Sequence, residues 1–201
     1  MASTPPRNAG PAVDAAQIAR QALRRKLLSA REQFAARPEG LAAQAALAGH
    51  LARLLQDIEP ETLGVYWPVR GEFNAVAALE AAGLSKLPLA LPYAQREPHA
   101  MHYRAWSGQA PGGIDECGIP APDSGPAIVP DVVLVPCVGH TRSGLRLGYG
   151  GGYFDRWLAQ HPQVTSIGIA WAIGEVADDA FAPRVHDLPL TLVLTERGII
   201  D

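Results

Sequence analysis

Cysteine and net charge are both scarce in this sequence of 201 residues. The two cysteines, Cys117 and Cys137, are too few for a disulfide framework, and no Cys-x-x-Cys pair offers a zinc or redox motif. Charged residues make up 18% of the chain, and the net charge is −3. Without a basic excess, the chain lacks the long-range attraction that draws proteins to nucleic acid or to anionic membranes. We therefore expect neither kind of partner.

Long apolar runs are missing too. No stretch has the roughly 20 apolar residues of a transmembrane helix, and the N-terminal sequence MASTPPRNAGP lacks the apolar core of a signal peptide. These absences predict a cytoplasmic protein. Hydrophobic residues nevertheless make up 48% of the chain, which suits a globular domain with a proper core. We expect a monomer in which residues 1–13 form a mobile tail and residues 14–201 form a single domain.

The hydrophobic pattern alternates between helical and strand spacing. Asp14 is a candidate N-cap, and residues 107–130, rich in Gly and Pro, predict a long surface loop. Alternating strands and helices predict an α/β fold: a three-layer, Rossmann-like, open and mostly parallel sheet with helices on both faces. The predicted helices are Asp14–Phe34, Leu41–Leu55, Phe73–Ala82 and Gly152–Gln160, and the predicted strands are Thr62–Trp67, Leu87–Leu91, Met101–Trp106 (an edge strand), Asp131–Pro136, Ser166–Trp171 and Leu190–Thr195.

The segment Arg146–Arg156, RLGYGGGYFDR, carries the strongest chemical signal. It follows a predicted buried strand and opens a predicted helix, and its glycines allow the backbone to approach a ligand closely. Backbone N–H groups at a helix start, flanked by Arg146 and Arg156, favour a phosphate. No Gly-Lys-Ser/Thr follows as in a Walker loop, and the spacing departs from the dinucleotide fingerprint. A plain glycine-rich turn is the alternative interpretation.

Asp155 falls in the first turn of the predicted helix, where a carboxylate suits the helix dipole. Beside bound phosphates it would repel them unless a cation lay between. Mg²⁺ prefers one or two carboxylates together with phosphate oxygens and water. Asp155 is therefore a candidate magnesium ligand, with an ordinary helix-start residue as the alternative.

Taken together, the motifs resemble the 5-formyltetrahydrofolate cyclo-ligase family. The resemblance implies the scaffold of that family and an enzyme that uses ATP and Mg²⁺ to convert 5-formyltetrahydrofolate, a reduced folate, into 5,10-methenyltetrahydrofolate. In that reaction the formyl oxygen attacks the γ-phosphate of ATP, and N10 then closes the ring as phosphate leaves. The segments that carry the resemblance are Arg20–Arg24, Val65–Glu72, Gly118–Pro122, Pro136–Arg156, Val185–Leu190 and Leu194–Glu196.

The resemblance also implies roles at the nucleotide end of the site. Arg20 and Arg24 match a basic pair that contacts ATP phosphates; a solvated basic helix face is the alternative. Asp155 and Asp187 match two acidic magnesium positions, whereas the neighbouring His186 diverges from Asp187. The implied nucleotide loop consists of Arg146, Leu147, Gly148, Tyr149, Gly150, Gly151, Gly152, Tyr153 and Phe154.

At the folate end, the resemblance implies that Trp67 and Glu72 contact the pterin ring. A flat aromatic ring can stack on the pterin, and a carboxylate can accept hydrogen bonds from it; a strand-end tryptophan and a helix-start glutamate are the alternatives. Arg146 and Tyr153 are the implied catalytic residues. The loop residues implied to touch folate are Tyr149, Gly150, Gly151, Gly152 and Tyr153.

Three departures from the family pattern leave other functions open. His140 and Thr141 stand where Phe-Asp is usual, Arg20 replaces a lysine, and Phe154 replaces a tyrosine. If the usual aspartate holds the loop, Thr141 would have to do so by a different hydrogen bond. The alternatives are a paralogue that acts on another amide and a folate or nucleotide binder without turnover. A sugar-phosphate isomerase, suggested by fold analogy alone, lacks an evident base.

The remaining histidines and thiols point to no further site. His99 and His102 are expected at the surface, because no third metal ligand accompanies them. Cys137, at the end of a predicted buried strand, is expected to be a packed thiol, and Cys117 falls in the predicted loop without an evident role.

Overall fold

The computed structural model describes residues 11–84, 86–183 and 187–200, with side chains from residue 15 onward. His186 and residues 1–10 of the predicted tail lie outside the described residues. The helices are α1 (Pro11–Ala35), α2 (Pro38–Ile58), α3 (Ala75–Ala81) and α4 (Tyr153–Gln160), with a 3₁₀ turn at Ala172–Gly174. The strands are β1 (Leu63–Gly64), β2 (Leu89–Gln95), β3 (Ala100–Trp106), β4 (Gly113–Ile114), β5 (Pro120–Ala121), β6 (Ala127–Ile128), β7 (Val132–Pro136), β8 (Gly139–His140), β9 (Arg146–Leu147), β10 (Thr165–Ile169), β11 (Leu192–Thr195) and β12 (Gly198–Ile200).

The main sheet has eight strands in the order β12-β11-β10-β7-β1-β2-β3-β6. The strands from β11 to β2 run parallel to their neighbours, and antiparallel strands complete both edges. The predicted mostly parallel α/β sheet is confirmed. The prediction that 101–106 is an edge strand is wrong, because β6 pairs with Tyr103 and Arg104 on its outer side. The segment predicted as a loop, 107–130, contains β6 and the β4–β5 hairpin.

Strand β7 shows how helices cover both faces of the sheet. Val132 and Leu134 pack into the core that includes α2 and α3, whereas Val133 and Val135 pack into the core that includes α4. Successive side chains of a strand point to opposite faces, so a strand covered on both faces has to be apolar throughout. The predicted helical layers on both faces are therefore confirmed. None of the helices in the described part of the chain combines the length and the apolar character needed to cross a bilayer.

Several helix and strand boundaries differ from the predicted ones, and strand pairing and helix capping account for some of these differences. Strand β2 continues to Gln95 through Pro92, because β3 pairs with it along its whole length. Helix α3 begins at Ala75, after the Asn74 side chain accepts a hydrogen bond from the Ala77 N–H at 3.1 Å. Helix α1 begins at Pro11, so Asp14 lies inside the helix instead of capping it.

A hairpin separates β7 from the glycine-rich segment. Strands β8 and β9 form this hairpin, which the sequence did not predict, and β9 holds the first two residues of the segment Arg146–Arg156. Residues 148–152, between β9 and α4, are called the glycine loop below. This loop leads into α4, as the sequence predicted. The hairpin carries Arg146 on β9 and so fixes where the loop begins.

Candidate active site

A cavity of about 420 Å³ lies beside the ends of β1 and β7. Ligands of open α/β sheets bind at this carboxyl edge. The cavity walls come from α1, from the segments that follow β1 and β7, from β2, and from the glycine loop. The predicted site residues that line it are Arg20, Arg24, Trp67, Glu72, Arg146, Gly148, Tyr149, Gly150, Gly151, Gly152, Tyr153, Phe154, Asp155 and Asp187.

Leu147 is the predicted site residue that does not line the cavity. Its side chain is fully buried in a core cluster with Leu27 and Leu28 of α1. Because neighbouring residues of β9 point to opposite sides, Arg146 faces the cavity and Leu147 faces the core. The side chain of Leu147 therefore cannot contact a nucleotide in this arrangement.

Arg146 and Asp155 form an ion pair at the cavity wall. The Nη2 atom of Arg146 lies 2.6 Å from Oδ1 of Asp155, and Nη1 donates to the Pro136 carbonyl at 3.2 Å. The arginine is 7% exposed. The arginine predicted to bind phosphate is thus paired with the aspartate predicted to bind magnesium.

Arg20 and Asp187 repeat this arrangement on another wall. The Nη1 atom of Arg20 donates to Oδ2 of Asp187 at 2.8 Å and to the Ala182 carbonyl at 2.7 Å. The guanidinium also lies 4.9 Å from the centre of the Phe181 ring. Arg20 is only 6% exposed, so the alternative of a solvated basic helix face is wrong for this residue.

The carboxylates of the cavity suit a magnesium ion that arrives with phosphate. Among the described residues, no group of three or more His, Cys, Asp or Glu side chains is arranged to hold a metal. Mg²⁺ does not require such a cage, because it takes one or two carboxylates and completes its shell with phosphate oxygens and water. Asp155 and Asp187 both line the cavity and fit this donor set. Their assignment as magnesium ligands stays a prediction.

The glycine loop adopts a backbone that favours glycine. Gly150 and Gly152 have φ angles of 101° and 67°, values that most other residues avoid. Arg24 donates from Nε to the Gly148 carbonyl at 2.8 Å, and Arg156 donates from Nη2 to the Gly151 carbonyl at 2.7 Å. Helix α4 follows, and the N–H groups of a first helical turn have no intrahelical acceptor. The predicted glycine-rich turn into a helix is present, and phosphate binding at it stays a prediction.

Glu72 also lines the cavity, and its carboxylate is held by two hydrogen bonds. Its Oε2 accepts the Val69 N–H at 2.8 Å, and its Oε1 accepts the Tyr149 hydroxyl at 2.7 Å. Burial raises the pKa of Glu72, while these hydrogen bonds and Arg31 oppose the rise. Trp67, on the same wall, packs edge-on against Trp106 with ring centres 6.4 Å apart. Trp67 and Glu72 together offer the flat aromatic ring and the carboxylate that the predicted pterin site requires.

Arg31 is a site residue that the sequence analysis missed. It is 3% exposed, donates from Nη2 to the Tyr149 hydroxyl, and lies 3.7 Å from Oε1 of Glu72. A signal was present in the sequence: Arg31 follows Arg20 by eleven residues, or about three helical turns, so Arg20, Arg24 and Arg31 share one face of α1. Leu27 lies on the same face and is buried.

The predicted surface loop also contributes a wall, which the sequence analysis missed. Asp115 is buried, and its Oδ1 accepts the N–H groups of Cys117 at 2.8 Å and Ile119 at 2.9 Å. This turn brings the exposed Cys117 thiol within hydrogen-bond distance of the Tyr153 hydroxyl, at 3.3 Å. That contact raises the pKa of Tyr153 to about 12. The sequence pattern Asp115-x-Cys117-x-Ile119 could have indicated this turn, because an aspartate side chain commonly accepts hydrogen bonds from backbone N–H groups that follow it.

His99 and His102 lie near the surface, as predicted, although each has an aromatic neighbour. The ring of His99 lies 4.4 Å from that of Tyr153, and the His102 ring lies 5.5 Å from that of Tyr93. Cys137 is confirmed as a packed thiol, because it is buried and its burial raises its pKa to about 12.

The departure at His140-Thr141 lies at the end of β8, and neither residue lines the cavity. Both residues are fully buried. The Thr141 hydroxyl accepts the Leu145 N–H at 3.1 Å and lies 2.9 Å from the Ser143 hydroxyl. Thr141 thus holds the turn that leads to Arg146, by the kind of alternative hydrogen bond that the sequence analysis required.

Comparison with known proteins identifies the relatives of this chain. Residues 16–196 match the 5-formyltetrahydrofolate cyclo-ligase family. The chain belongs to this family. A protein named 5-formyltetrahydrofolate cyclo-ligase from Mycolicibacterium smegmatis is 31% identical over 164 residues, which cover 77% of this chain and 83% of that protein.

Two further matches extend over more of the chain. A Haemophilus influenzae protein of the same name is 25% identical over 186 residues, or 87% of this chain and 96% of its own length. The solved structure of a 5,10-methenyltetrahydrofolate synthetase from Aquifex aeolicus superposes with a TM-score of 0.72 at 24% identity, covering 90% of this chain and 91% of that one. This structural likeness confirms the cyclo-ligase scaffold. The family and the enzyme class that the motifs predicted are also confirmed, while the individual residue roles stay predictions.

Proposed function

We propose that this member of the cyclo-ligase family converts 5-formyltetrahydrofolate into 5,10-methenyltetrahydrofolate at the expense of ATP. The observation that carries the proposal is one cavity lined by both sets of groups that such a reaction requires. Trp67 and Glu72 form one set, and the glycine loop with its arginines forms the other. The names of the relatives support the same activity.

The folate end recognises a flat ring with N–H donors. Glu72 holds a carboxylate at the wall, and Trp67 offers an aromatic surface beside it. An ionised carboxylate accepts hydrogen bonds without donating any, so it suits the amino and ring N–H groups of a pterin. These residues orient the reduced folate with its formyl group toward the glycine loop.

The phosphate end supplies charge and fixed donors. Arg20, Arg24 and Arg146 line the cavity beside the backbone of the glycine loop. Asp155 and Asp187 would hold Mg²⁺, which neutralises phosphate charge when it is bound. The ion pairs with Arg146 and Arg20 keep both carboxylates and both arginines at the wall before a nucleotide arrives.

The reaction moves one phosphoryl group and closes one ring. The formyl oxygen forms a bond to the γ-phosphorus of ATP, and the bond to the ADP oxygen breaks. N10 of the folate then attacks the activated formyl carbon, that carbon–oxygen bond breaks to release phosphate, and the N10 proton leaves with the phosphate. We assign Arg146 to the charge that develops on the transferred group. Tyr153, whose pKa of about 12 keeps its hydroxyl protonated at neutral pH, acts as a hydrogen-bond donor and not as a base.

The test is the absorbance of methenyltetrahydrofolate formed from 5-formyltetrahydrofolate with ATP and Mg²⁺. We expect product that depends on ATP, with ADP and phosphate formed in equal amounts. Binding of both substrates without any product would refute the proposal in favour of a binder. ADP formation with another amide, and none with 5-formyltetrahydrofolate, would identify a paralogue.

A further inference from the structure

Arg31 is a buried side chain that contacts several of the segments around the cavity. In addition to its contacts with Tyr149 and Glu72, its Nε donates to the Arg70 carbonyl at 3.1 Å and its Nη1 donates to the Cys137 carbonyl at 3.4 Å. A planar guanidinium with several fixed donors suits such a site, and a lysine could not reproduce it. One buried side chain thus links α1 to the segment after β1, to the end of β7 and to the glycine loop.

The turn that carries Glu72 depends on this contact. Arg70 has a φ angle of 52°, which is uncommon for a residue other than glycine, and Gly71 follows with a φ of 75°. Arg31 holds the Arg70 carbonyl within this turn, and Glu72 closes it by accepting the Val69 N–H. The Glu72 carboxylate is therefore fixed from both sides, and only 4% of its side chain is exposed.

We propose that Arg31 is a positioning residue for folate, which serves as the counter-charge of the Glu72 carboxylate and orients it toward the substrate through Tyr149. The inference rests on the proposed function, because it assumes that Glu72 binds the pterin. It assigns a role in folate affinity to a residue that does not line the cavity.

The charges around Glu72 explain why a cation is needed there. The described groups that act on it are Arg31 from α1 and Tyr149 from the glycine loop, and Glu72 in turn acts on Tyr66 after β1 and Cys137 after β7. Both of those neighbours are neutral at physiological pH, because burial raises the pKa of each. Burial favours the protonated form of Glu72; the hydrogen bonds from Tyr149 and Val69 oppose it, and Arg31 adds a positive charge in the same direction. Without Arg31, we expect Glu72 to take up a proton at a higher pH and to lose an acceptor oxygen.

The first experiment is calorimetric titration of the full-length protein with 5-formyltetrahydrofolate between about pH 6 and about pH 8.5, a range that brackets neutral pH. For Arg31→Gln we expect Kd to rise roughly 10- to 100-fold at the acidic end, the size expected for a lost charged hydrogen bond. The difference from wild type should shrink as pH rises, because Glu72 then ionises without help. Arg25→Gln, an exposed arginine on the same helix, is the matched control and should bind like wild type.

A double-mutant cycle separates this role from a general loss of structure. Glu72→Gln removes the titrating carboxylate, so adding Arg31→Gln to it should cause little further loss of affinity and no pH dependence. The double variant also leaves no unpaired carboxylate in the interior, so it tests the idea even if Arg31→Gln alone fails to fold. A pH-independent loss in Arg31→Gln, or an undiminished Arg31 effect in the Glu72→Gln background, would overturn the inference. Failure of the wild-type protein to bind 5-formyltetrahydrofolate would instead refute the proposed function.

Discussion

Replacing His140 by phenylalanine is expected to stabilise the protein. The imidazole is fully buried in the hairpin that carries Arg146, and neither ring nitrogen has a hydrogen-bond partner among the described residues. A buried polar group without a partner costs about 1–3 kcal/mol, and a phenylalanine would remove that cost. The larger ring requires some repacking, which offsets part of the gain. We therefore expect a net increase of about 1–2 kcal/mol in the free energy of unfolding.

The same substitution has a signature in pH. Burial lowers the pKa of His140, while Glu175 and Glu196 partly oppose this shift. Because the folded pKa lies below the unfolded value of about 6.5, the unfolded chain binds more protons as the pH falls, and the wild-type protein loses stability below that value. The phenylalanine variant has no such group. The stability difference between variant and wild type should therefore widen from about pH 7.5 downward and level off below the folded pKa.

Urea unfolding at several pH values measures both effects. In thermal unfolding of a chain of this length, a gain of about 1–2 kcal/mol in the free energy of unfolding corresponds to a rise of roughly 2–8 °C in Tm. Cyclo-ligase activity should be unchanged, because His140 does not line the cavity. A destabilised variant, or a stability gain that stays constant between about pH 7.5 and about pH 5, would refute the account of an unpartnered neutral histidine.

Three further predictions concern the cavity itself. Asp155→Asn should lose most activity and require more Mg²⁺ for what remains, measured as the Mg²⁺ dependence of product formation. Iodoacetamide should inactivate the enzyme by alkylating Cys117, which is exposed at the cavity, and mass spectrometry should find Cys137 unmodified because burial raises its pKa to about 12. Gly150→Ala should weaken ATP binding by calorimetry, because the φ of 101° strains any other residue.

Each of these predictions has a matched control. Asp179→Asn, an exposed acidic residue, should leave the Mg²⁺ requirement unchanged; an equal change in both variants would contradict the metal role of Asp155. The variant Cys117→Ser should resist iodoacetamide, and its inactivation would show that another group is the target. Gly49→Ala, with open space around it in α2, should bind ATP normally and stabilise the helix by about 1 kcal/mol. Normal ATP binding by Gly150→Ala would show that the loop tolerates a side chain.

Local patterns in the sequence predicted the layered sheet, because burial on both faces requires apolar strands such as Val132–Pro136. They did not predict β6 or the passage of β2 through Pro92. Those features depend on pairing with β3, a partner that periodicity does not identify. The hairpin before the glycine loop was missed for the same reason, since its two short strands have no pattern of their own.

By itself the sequence determined the family and most of the predicted residues that line the cavity, since side-chain chemistry and order along the chain are enough to match a motif. Only the tertiary structure decided how those side chains are paired. Arg146 holds Asp155 and Arg20 holds Asp187 across separations of nine and 167 residues, distances over which no local pattern operates. The same holds for Arg31, which looks like another cation on a basic helix until the fold buries it beside Glu72 and Tyr149. A buried charge is costly unless it is paired, and the fold determines which oppositely charged side chain lies close enough to pair with it.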